Sequence, residues 1–219
     1  MRSLCTGLHL RCNSIEPATQ RDETVNARSV NIIICGVGGQ GIILASNVLC
    51  HTAFLEGFDV KKSEVHGMAQ RGGTVITHVK YGSKVYSPLI AEGTADFLLA
   101  FEKLEALRYS HYLKDNGIAM VNDREIPPMS VLIGAAEYPT DIPKQLDKHC
   151  RLYLVKAEKI AHDMGNIRVV NVVLLGVLSR ALQFSTDSWK RAIRSNVKAR
   201  YVDLNISAFH KGRDLVQMA

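Results

Sequence analysis

One stretch of the sequence decides the fold: Asn31-Ile32-Ile33-Ile34-Cys35-Gly36-Val37-Gly38-Gly39-Gln40-Gly41. Its first five residues form a short, apolar, β-branched run, which is typical of a strand buried in a parallel sheet. The glycines that follow satisfy the pattern G-x-G-x-x-G, and residues 40–56 then carry apolar side chains at helical spacing. A strand, a glycine-rich turn and a helix in this order predict an α/β fold.

Strand and helix patterns alternate along the rest of the chain. Further strands are predicted at residues 58–62, 74–81, 85–87, 96–101, 118–121 and 152–155. Further helices are predicted at residues 102–112, 169–182 and 189–197. Gly57 fits the residue after a helix end, Gly82-Ser83 predicts a hairpin between strands 74–81 and 85–87, and Asn116-Gly117 predicts a turn. We therefore expect a Rossmann-like α/β fold, with a mainly parallel sheet covered by helices on both faces, a short β-hairpin and a helical C-terminal part.

Length and composition favour one soluble domain. The chain has 219 residues, a length typical of a single domain, which we place at residues 30–219. Residues 1–29 are polar, with four arginines and no periodicity, and we interpret them as a disordered extension. The net charge of +6 comes from scattered side chains, so no nucleic-acid partner is expected. The longest apolar stretch, residues 169–182, is too short and too polar to span a membrane.

The five cysteines give no sign of a metal site. They are Cys5, Cys12, Cys35, Cys50 and Cys150, an odd number without C-x-x-C spacing. A disulfide framework is therefore not expected, which fits a reducing compartment such as the cytoplasm. The spacing also matches no iron–sulfur cluster motif, so we predict that this chain holds neither a cluster nor another metal.

The glycine-rich turn, Gly36–Gly41, is the first candidate ligand site. Such turns bring the backbone close to a ligand and point the free N–H groups of a helix start at an anion. We predict ligand contact at Gly36, Gly38, Gly39, Gln40 and Gly41. A dinucleotide site also needs an acidic residue near the end of the second strand, but Lys61 and Lys62 stand there instead. The dinucleotide fingerprint is incomplete.

The second candidate site is a polar, glycine-dense segment, Ser63–Gly73, which we predict to be a loop. It contains Glu64, His66, Gln70 and Arg71 among three glycines, and the last of these are Gly72 and Gly73. The planar guanidinium of Arg71 suits a carboxylate or a phosphate, and Gln70, Arg71, Gly72 and Gly73 are predicted ligand contacts. Glu64, His66 and Arg71 are the candidate catalytic residues. Glu64 or His66 could transfer protons, but the sequence does not assign those roles.

Five segments in order resemble a known family. They are Gly36–Gly41, Ser63–Gly73, Tyr86-Ser87-Pro88-Leu89-Ile90, residues 101–108 and Asn171-Val172-Val173-Leu174-Leu175-Gly176. Together they resemble the beta subunits of indolepyruvate ferredoxin oxidoreductases, which are similar to the gamma subunits or domains of pyruvate and 2-oxoglutarate ferredoxin oxidoreductases. The wider family shares the turn and the Glu64…Arg71-Gly72-Gly73 pattern, whereas residues 65–70 resemble the indolepyruvate branch. The resemblance covers about residues 30–212.

The resemblance implies a reaction and a set of partners. A 2-oxoacid such as indole-3-pyruvate is oxidatively decarboxylated with coenzyme A, and the electrons pass to ferredoxin. A larger alpha subunit carries thiamine diphosphate with its Mg²⁺ and the iron–sulfur clusters, so this chain is expected to hold no cofactor alone and to be inactive without its partner. Residues 30–219 are then a single gamma-type catalytic domain.

Two other functions remain open at this stage. The first is a stand-alone reductase in which Lys61 and Lys62 accept the 2′-phosphate of NADP. The second is a non-catalytic adaptor that kept the fold but lost the chemistry. Nucleotide titration would identify the reductase, and elution of the chain without a partner would favour the adaptor.

Overall fold

The computed structural model describes residues 29–67 and 73–216. Within them six strands form one sheet, and they are β1 Val30–Val37, β2 Asp59–His66, β3 Thr74–Gly82, β4 Ala95–Ala100, β5 Leu113–Asn122 and β6 Arg151–Val155. The helices are α1 Ile42–Leu55, α2 Lys103–Tyr109, α3 Met129–Leu132, α4 Ile142–Asp147, α5 Ala157–Asp163, α6 Val170–Leu178, α7 Thr186–Asn196 and α8 Val202–Asp214. The predicted disordered extension lies outside the described residues, apart from Ser29.

The sheet has the strand order β2-β3-β1-β4-β5-β6. The pairs β1–β4, β4–β5 and β5–β6 are parallel, whereas β3 is antiparallel to both of its neighbours, β1 and β2. Five strands therefore run in one direction and only β3 opposes them, which confirms the mainly parallel sheet. The C-terminal ends of these five strands meet at one edge, called here the carboxyl edge.

Helices cover both faces of the sheet, as predicted. Alternate residues of β1 point to opposite faces. Ile32 and Ile34 join a core with α1, α5, α6, α7 and α8, while Ile33 and Cys35 join a second core with α2 and α4. The helix α6 is buried from Asn171 to its end at Leu178, and it lies in the first core. None of the helices in the described parts of the chain is long and apolar enough to cross a bilayer.

The predicted hairpin between residues 74–81 and 85–87 is wrong. The hairpin strands are β2 and β3, and β2 continues to His66, so Ser63–His66 belong to a strand and not to a loop. The antiparallel ladder with β3 supplies hydrogen-bond partners for the backbone of these residues. Their polar side chains gave no sign of this pairing. After Gly82, the backbone bonds to side chains instead of to a neighbouring strand. Asp59 accepts from the Val85 N–H, and Lys80 donates to the Leu89 carbonyl.

Other predicted elements differ in their limits. The Asn116-Gly117 turn is a bulge inside β5, where Asn116 has a left-handed φ of 58° and the register with β4 shifts. The short helices α3, α4 and α5 were not predicted, because each is too short for a clear apolar period. Gly57 does end α1 with a φ of 88°, as predicted.

Buried His78 predicts a pH dependence of stability. Its Nδ1 accepts the Ile90 N–H at 3.2 Å, and burial, assisted by the charge of Lys80, lowers the pKa of His78. Unfolded histidine takes up a proton near pH 6.5 and the folded residue resists it, so the unfolding free energy should fall as the pH drops below about 6.5. Urea denaturation at pH 8 and pH 5.5 measures this loss, and His78→Gln should make it smaller. Equal losses in both proteins would contradict the assignment.

Candidate functional site

Both predicted ligand segments begin at the carboxyl edge of the sheet. The glycine-rich turn follows β1, Glu64 and His66 end β2, and Gly73 immediately precedes β3. Because β3 runs against the other strands, its first residues lie at this same edge. In open α/β sheets this edge is where ligands bind. Of the predicted contacts, Gln70, Arg71 and Gly72 lie outside the described residues.

A backbone hydrogen bond joins the two segments. The Gly38 N–H donates to the Gly73 carbonyl at 2.8 Å. A second bond, from the Gly67 N–H to the Thr74 carbonyl at 2.8 Å, closes the base of the connection between β2 and β3. The turn and the Ser63–Gly73 segment are therefore neighbours in space, which their separation in the sequence did not guarantee.

The Gln40 side chain braces the turn from within. Its Oε1 accepts the Val37 N–H at 2.7 Å, and its Nε2 donates to the Phe101 carbonyl at 3.0 Å. A Cβ on Gly36 would lie only 2.6 Å from that Oε1, so the brace requires glycine at position 36. Since backbone groups engage both ends of the Gln40 amide, this side chain shapes the turn.

The turn ends at Gly41, which caps the start of α1. Gly41 has a left-handed φ of 83°, and the Asn171 side chain packs against it. The first N–H groups of α1 have no acceptor within the helix, so they are available to an anion or to a partner. The turn thus presents backbone donors, as the glycine pattern predicted, with Asn171 as an unpredicted neighbour.

Glu64 and His66 lie on the side of β2 that faces α1. Glu64 Oε1 accepts from Lys62 Nζ at 2.6 Å and from Ser46 Oγ at 3.2 Å, and its Oε2 is 3.5 Å from His66 Nε2. Burial alone would raise the pKa of Glu64, but the Lys62 hydrogen bond and charge outweigh it, and the pKa is lowered. Glu64 is therefore ionised at neutral pH, and an ionised carboxylate suits a base or an anchor, not an acid.

Lys61 and Lys62, which lie within β2, already have partners. Lys62 Nζ donates to Ser46, Asn47 and Glu64, and Lys61 Nζ is 3.4 Å from a carboxylate oxygen of Asp59. An NADP 2′-phosphate would have to compete with these acceptors. The shallow groove beside these residues is lined by Cys50, His51, Phe54, Phe58, Asp59, Val60 and Lys62, and it contains no residue of the glycine-rich turn. The geometry does not favour the reductase hypothesis.

Sequence reasoning missed a network of buried polar groups at the ends of β4 and β5. Glu102 is 1% exposed and accepts from the Glu105 N–H at 2.9 Å, the Ile126 N–H at 3.1 Å and the Tyr138 hydroxyl at 2.5 Å. Asn122 bonds the Phe101 carbonyl and the Ala157 N–H. A carboxylate at the start of a predicted helix was the available signal for Glu102, since such residues cap helices.

Glu105 connects this network to the second candidate segment. Its Oε1 accepts from the Thr74 hydroxyl at 3.1 Å and lies 3.2 Å from Arg108 Nε. Burial raises the pKa of Glu105, and the charge of Arg108 opposes this only in part. Thr74 directly follows Gly73, so α2 supports the start of β3 from the face opposite α1.

Metal-binding groups are not assembled in the described part of the chain. No three His, Cys, Asp or Glu side chains there form a group that would hold an ion. Cys35, Cys50 and Cys150 are free thiols, and burial raises the pKa of each, to about 11 for Cys50. Cys5 and Cys12 lie outside the described residues.

Comparisons with known proteins agree with this geometry. The model of the family described as pyruvate ferredoxin/flavodoxin oxidoreductase matches residues 31–215. An indolepyruvate oxidoreductase subunit of Thermococcus kodakarensis is 44% identical over 191 residues, which cover 84% of this chain and 95% of that protein. The corresponding subunit of Pyrococcus horikoshii is 42% identical over the same shares.

A solved structure is similar as well. The gamma subunit of a keto/oxoacid ferredoxin oxidoreductase from Geobacter sulfurreducens is 26% identical. Its TM-score is 0.63, and the match covers 84% of this chain and 96% of that one. The two chains therefore share a fold over most of their lengths.

Proposed function

The chain belongs to the pyruvate ferredoxin/flavodoxin oxidoreductase family, and from this premise we propose that its enzyme acts on indolepyruvate. It is the small subunit of a 2-oxoacid:ferredoxin oxidoreductase, one part of a larger complex. The observation that carries the choice of substrate is the 44% identity with an indolepyruvate oxidoreductase subunit over 84% of the chain. Relatives named for other 2-oxoacids include a 2-oxoglutarate synthase subunit at 31% identity and a ketoisovalerate oxidoreductase subunit at 27%.

The proposed reaction is a coenzyme A-dependent oxidative decarboxylation. Indolepyruvate loses carbon dioxide, its acyl group forms a thioester with the sulfur of coenzyme A, the thiol proton is released, and two electrons pass to ferredoxin. Thiamine diphosphate, which would carry the acyl group, its Mg²⁺ and the iron–sulfur clusters belong to the larger subunit in this proposal. The small subunit contributes binding and orientation, and we expect no turnover from it alone.

The proposed role of this chain is to form one wall of an active site shared with the larger subunit. The hydrogen bond between Gly38 and Gly73 supports this, because it sets the two candidate segments side by side at the carboxyl edge. Backbone groups of Gly36–Gly41 and of residues 70–73 would contact a reactant or the partner. Gln40 would act by shaping the turn. Glu64 and His66 at the end of β2 are the proposed proton-handling pair.

We also propose that the complex works in the cytoplasm. Three of the five cysteines lie in the described residues, and all three are free thiols. Thiols persist unpaired in a reducing compartment, where disulfides are rare. Ferredoxin, the proposed electron acceptor, would have to be present in the same compartment.

Reconstitution with the larger subunit tests the proposal. With indolepyruvate, coenzyme A and a viologen dye, omission of this chain should lower dye reduction at least about tenfold, since a shared site loses one wall. Equal rates with and without the chain would contradict the proposal. Pyruvate in place of indolepyruvate tests the substrate, and gel filtration tests the adaptor hypothesis, which predicts that the chain elutes alone.

A further inference from the structure

We propose that Asn171 is a positioning residue that holds the glycine-rich turn in the shape that accepts a reactant. The inference rests on the proposed function, because it takes the turn to be part of the shared site. Asn171 lies in the first turn of α6, is 3% exposed, and is 130 positions away from Gly41 in the sequence. A polar side chain buried this deeply needs partners for all of its polar atoms, and these partners define its role.

The Asn171 amide connects α6 to the end of the turn. Its Nδ2 donates to the Gly41 carbonyl at 3.3 Å, while its Oδ1 accepts the Val172 N–H at 2.9 Å. The Gly41 carbonyl also accepts the first helical bond of α1, from the Ala45 N–H at 3.1 Å. Asn171 therefore fixes the point at which the turn becomes a helix, and a 180° rotation of its amide would break both bonds.

Packing reinforces these bonds. A Cβ on Gly41 would lie 2.6 Å from Asn171 Nδ2, so the side chain rests directly against the glycine backbone. The turn is thereby held at three places: Gly41 by Asn171, Val37 by Gln40, and Gly38 by Gly73. Because nearly all of α6 is buried, Asn171 ties the turn to the protein core and not only to other loops.

A turn held in this way has a specific kinetic signature. Preorganised N–H groups bind without first losing conformational freedom, and a loosened turn would have to be ordered by the reactant. The free energy spent on ordering the turn should raise KM, because the turn contacts the reactant both before and during the reaction. Simple loss of stability behaves differently, since it reduces the amount of active enzyme and leaves KM unchanged.

Two substitutions separate the contact with the turn from the bond that Asn171 accepts within α6. Asn171→Ala removes both bonds, whereas Asn171→Ser loses the donor to Gly41 and keeps a hydroxyl that can accept the Val172 N–H. The matched control is Asn205→Ala in α8, where a 5% exposed amide donates to the Tyr201 carbonyl at 2.8 Å. All three variants lose a buried amide, but only the first two alter the turn.

Kinetics of the reconstituted complex test the inference. Both Asn171 variants should raise KM for coenzyme A or for indolepyruvate about fivefold and keep kcat within about twofold, while Asn205→Ala should leave both KM values unchanged. If both KM values of the Asn171 variants stay at the wild-type level, the inference is wrong. A wild-type complex that does not turn over would instead refute the proposed function.

Hydrogen exchange of the full-length chain decides the inference without turnover. The amides of Val37, Gly38 and Gln40 are hydrogen-bonded within or across the turn, at 2.7, 2.8 and 3.3 Å. In both Asn171 variants they should exchange about tenfold faster than in Asn205→Ala, because local opening becomes easier. Equal exchange in the three variants would overturn the positioning role, whatever the activity of the complex.

Discussion

Gly176→Ala is expected to destabilise the chain by about 3 kcal/mol, because it forces two helix backbones apart. A Cβ on Gly176, in α6, would lie 2.2 Å from the Phe209 carbonyl oxygen and 2.9 Å from the Arg213 amide nitrogen, both in α8. These are backbone atoms, so no side-chain rotation relieves the overlap. The partner position is equally tight, since a Cβ on Gly212 would lie 2.0 Å from the Val173 carbonyl oxygen.

The sign of the change in unfolding free energy distinguishes an effect of helix packing from an effect of helix propensity. In an open helix, alanine in place of glycine stabilises by up to about 1 kcal/mol. A loss at Gly176 would therefore reflect the crossing of α6 and α8 alone, and Gly212→Ala should repeat it. Urea denaturation, fitted with a common m-value, measures both variants against wild type. A midpoint at or above the wild-type value would contradict this account of the crossing.

This crossing illustrates what the sequence could and could not predict about the fold. The run of α6 is apolar enough to be predicted as a buried helix, and β1, β4 and β6 follow from short apolar runs in the same way. Gly176 carried no such signal, because a glycine inside a helix pattern does not reveal what lies beside it. Which helix crosses α6, and how closely, depends on tertiary packing.

The hairpin error has the same physical origin. Residues 63–66 are polar and look like a loop, yet they form the end of β2 because β3 supplies their hydrogen-bond partners. Residues 85–87 fit a strand by composition, but Asp59 takes the Val85 N–H and no ladder forms there. A strand needs a neighbour, and one sequence segment does not specify its neighbour.

The candidate site was predicted in its parts but not in its connections. The glycine pattern located the donors of the turn, and the polar residues located Glu64 and His66. The roles of Gln40 and Asn171 come from bonds that span 3 and 130 positions, respectively. Gln40 was predicted as a ligand contact because it belongs to the glycine-rich turn, and the structure adds that its amide forms hydrogen bonds with the backbone at both ends.

The buried network at Glu102 supports the second large effect, which concerns the segment between β5 and α4. The Glu102 carboxylate accepts from the Ile126 N–H and the Tyr138 hydroxyl, which bracket this segment, and from the Glu105 N–H in α2. Burial, together with the Glu102 charge, raises the pKa of Tyr138, so its hydroxyl remains a donor throughout the neutral range. The Glu102 carboxylate thus connects three separate parts of the chain by hydrogen bonds, at Glu105, Ile126 and Tyr138.

Glu102→Ala is therefore expected to cost about 4 kcal/mol, since one buried and two half-buried donors lose a buried carboxylate acceptor at once. Tyr138→Phe is the matched control, because it removes one donor and leaves the carboxylate with two; we expect about 1 kcal/mol. Limited proteolysis should also cleave Glu102→Ala first between residues 123 and 141, where these hydrogen bonds are lost. Equal unfolding free energies for the two variants, measured in urea at pH 7, would mean that Tyr138 accounts for the whole effect. In that case the Glu105 and Ile126 amides would contribute nothing through Glu102, and the segment would be held by its other contacts.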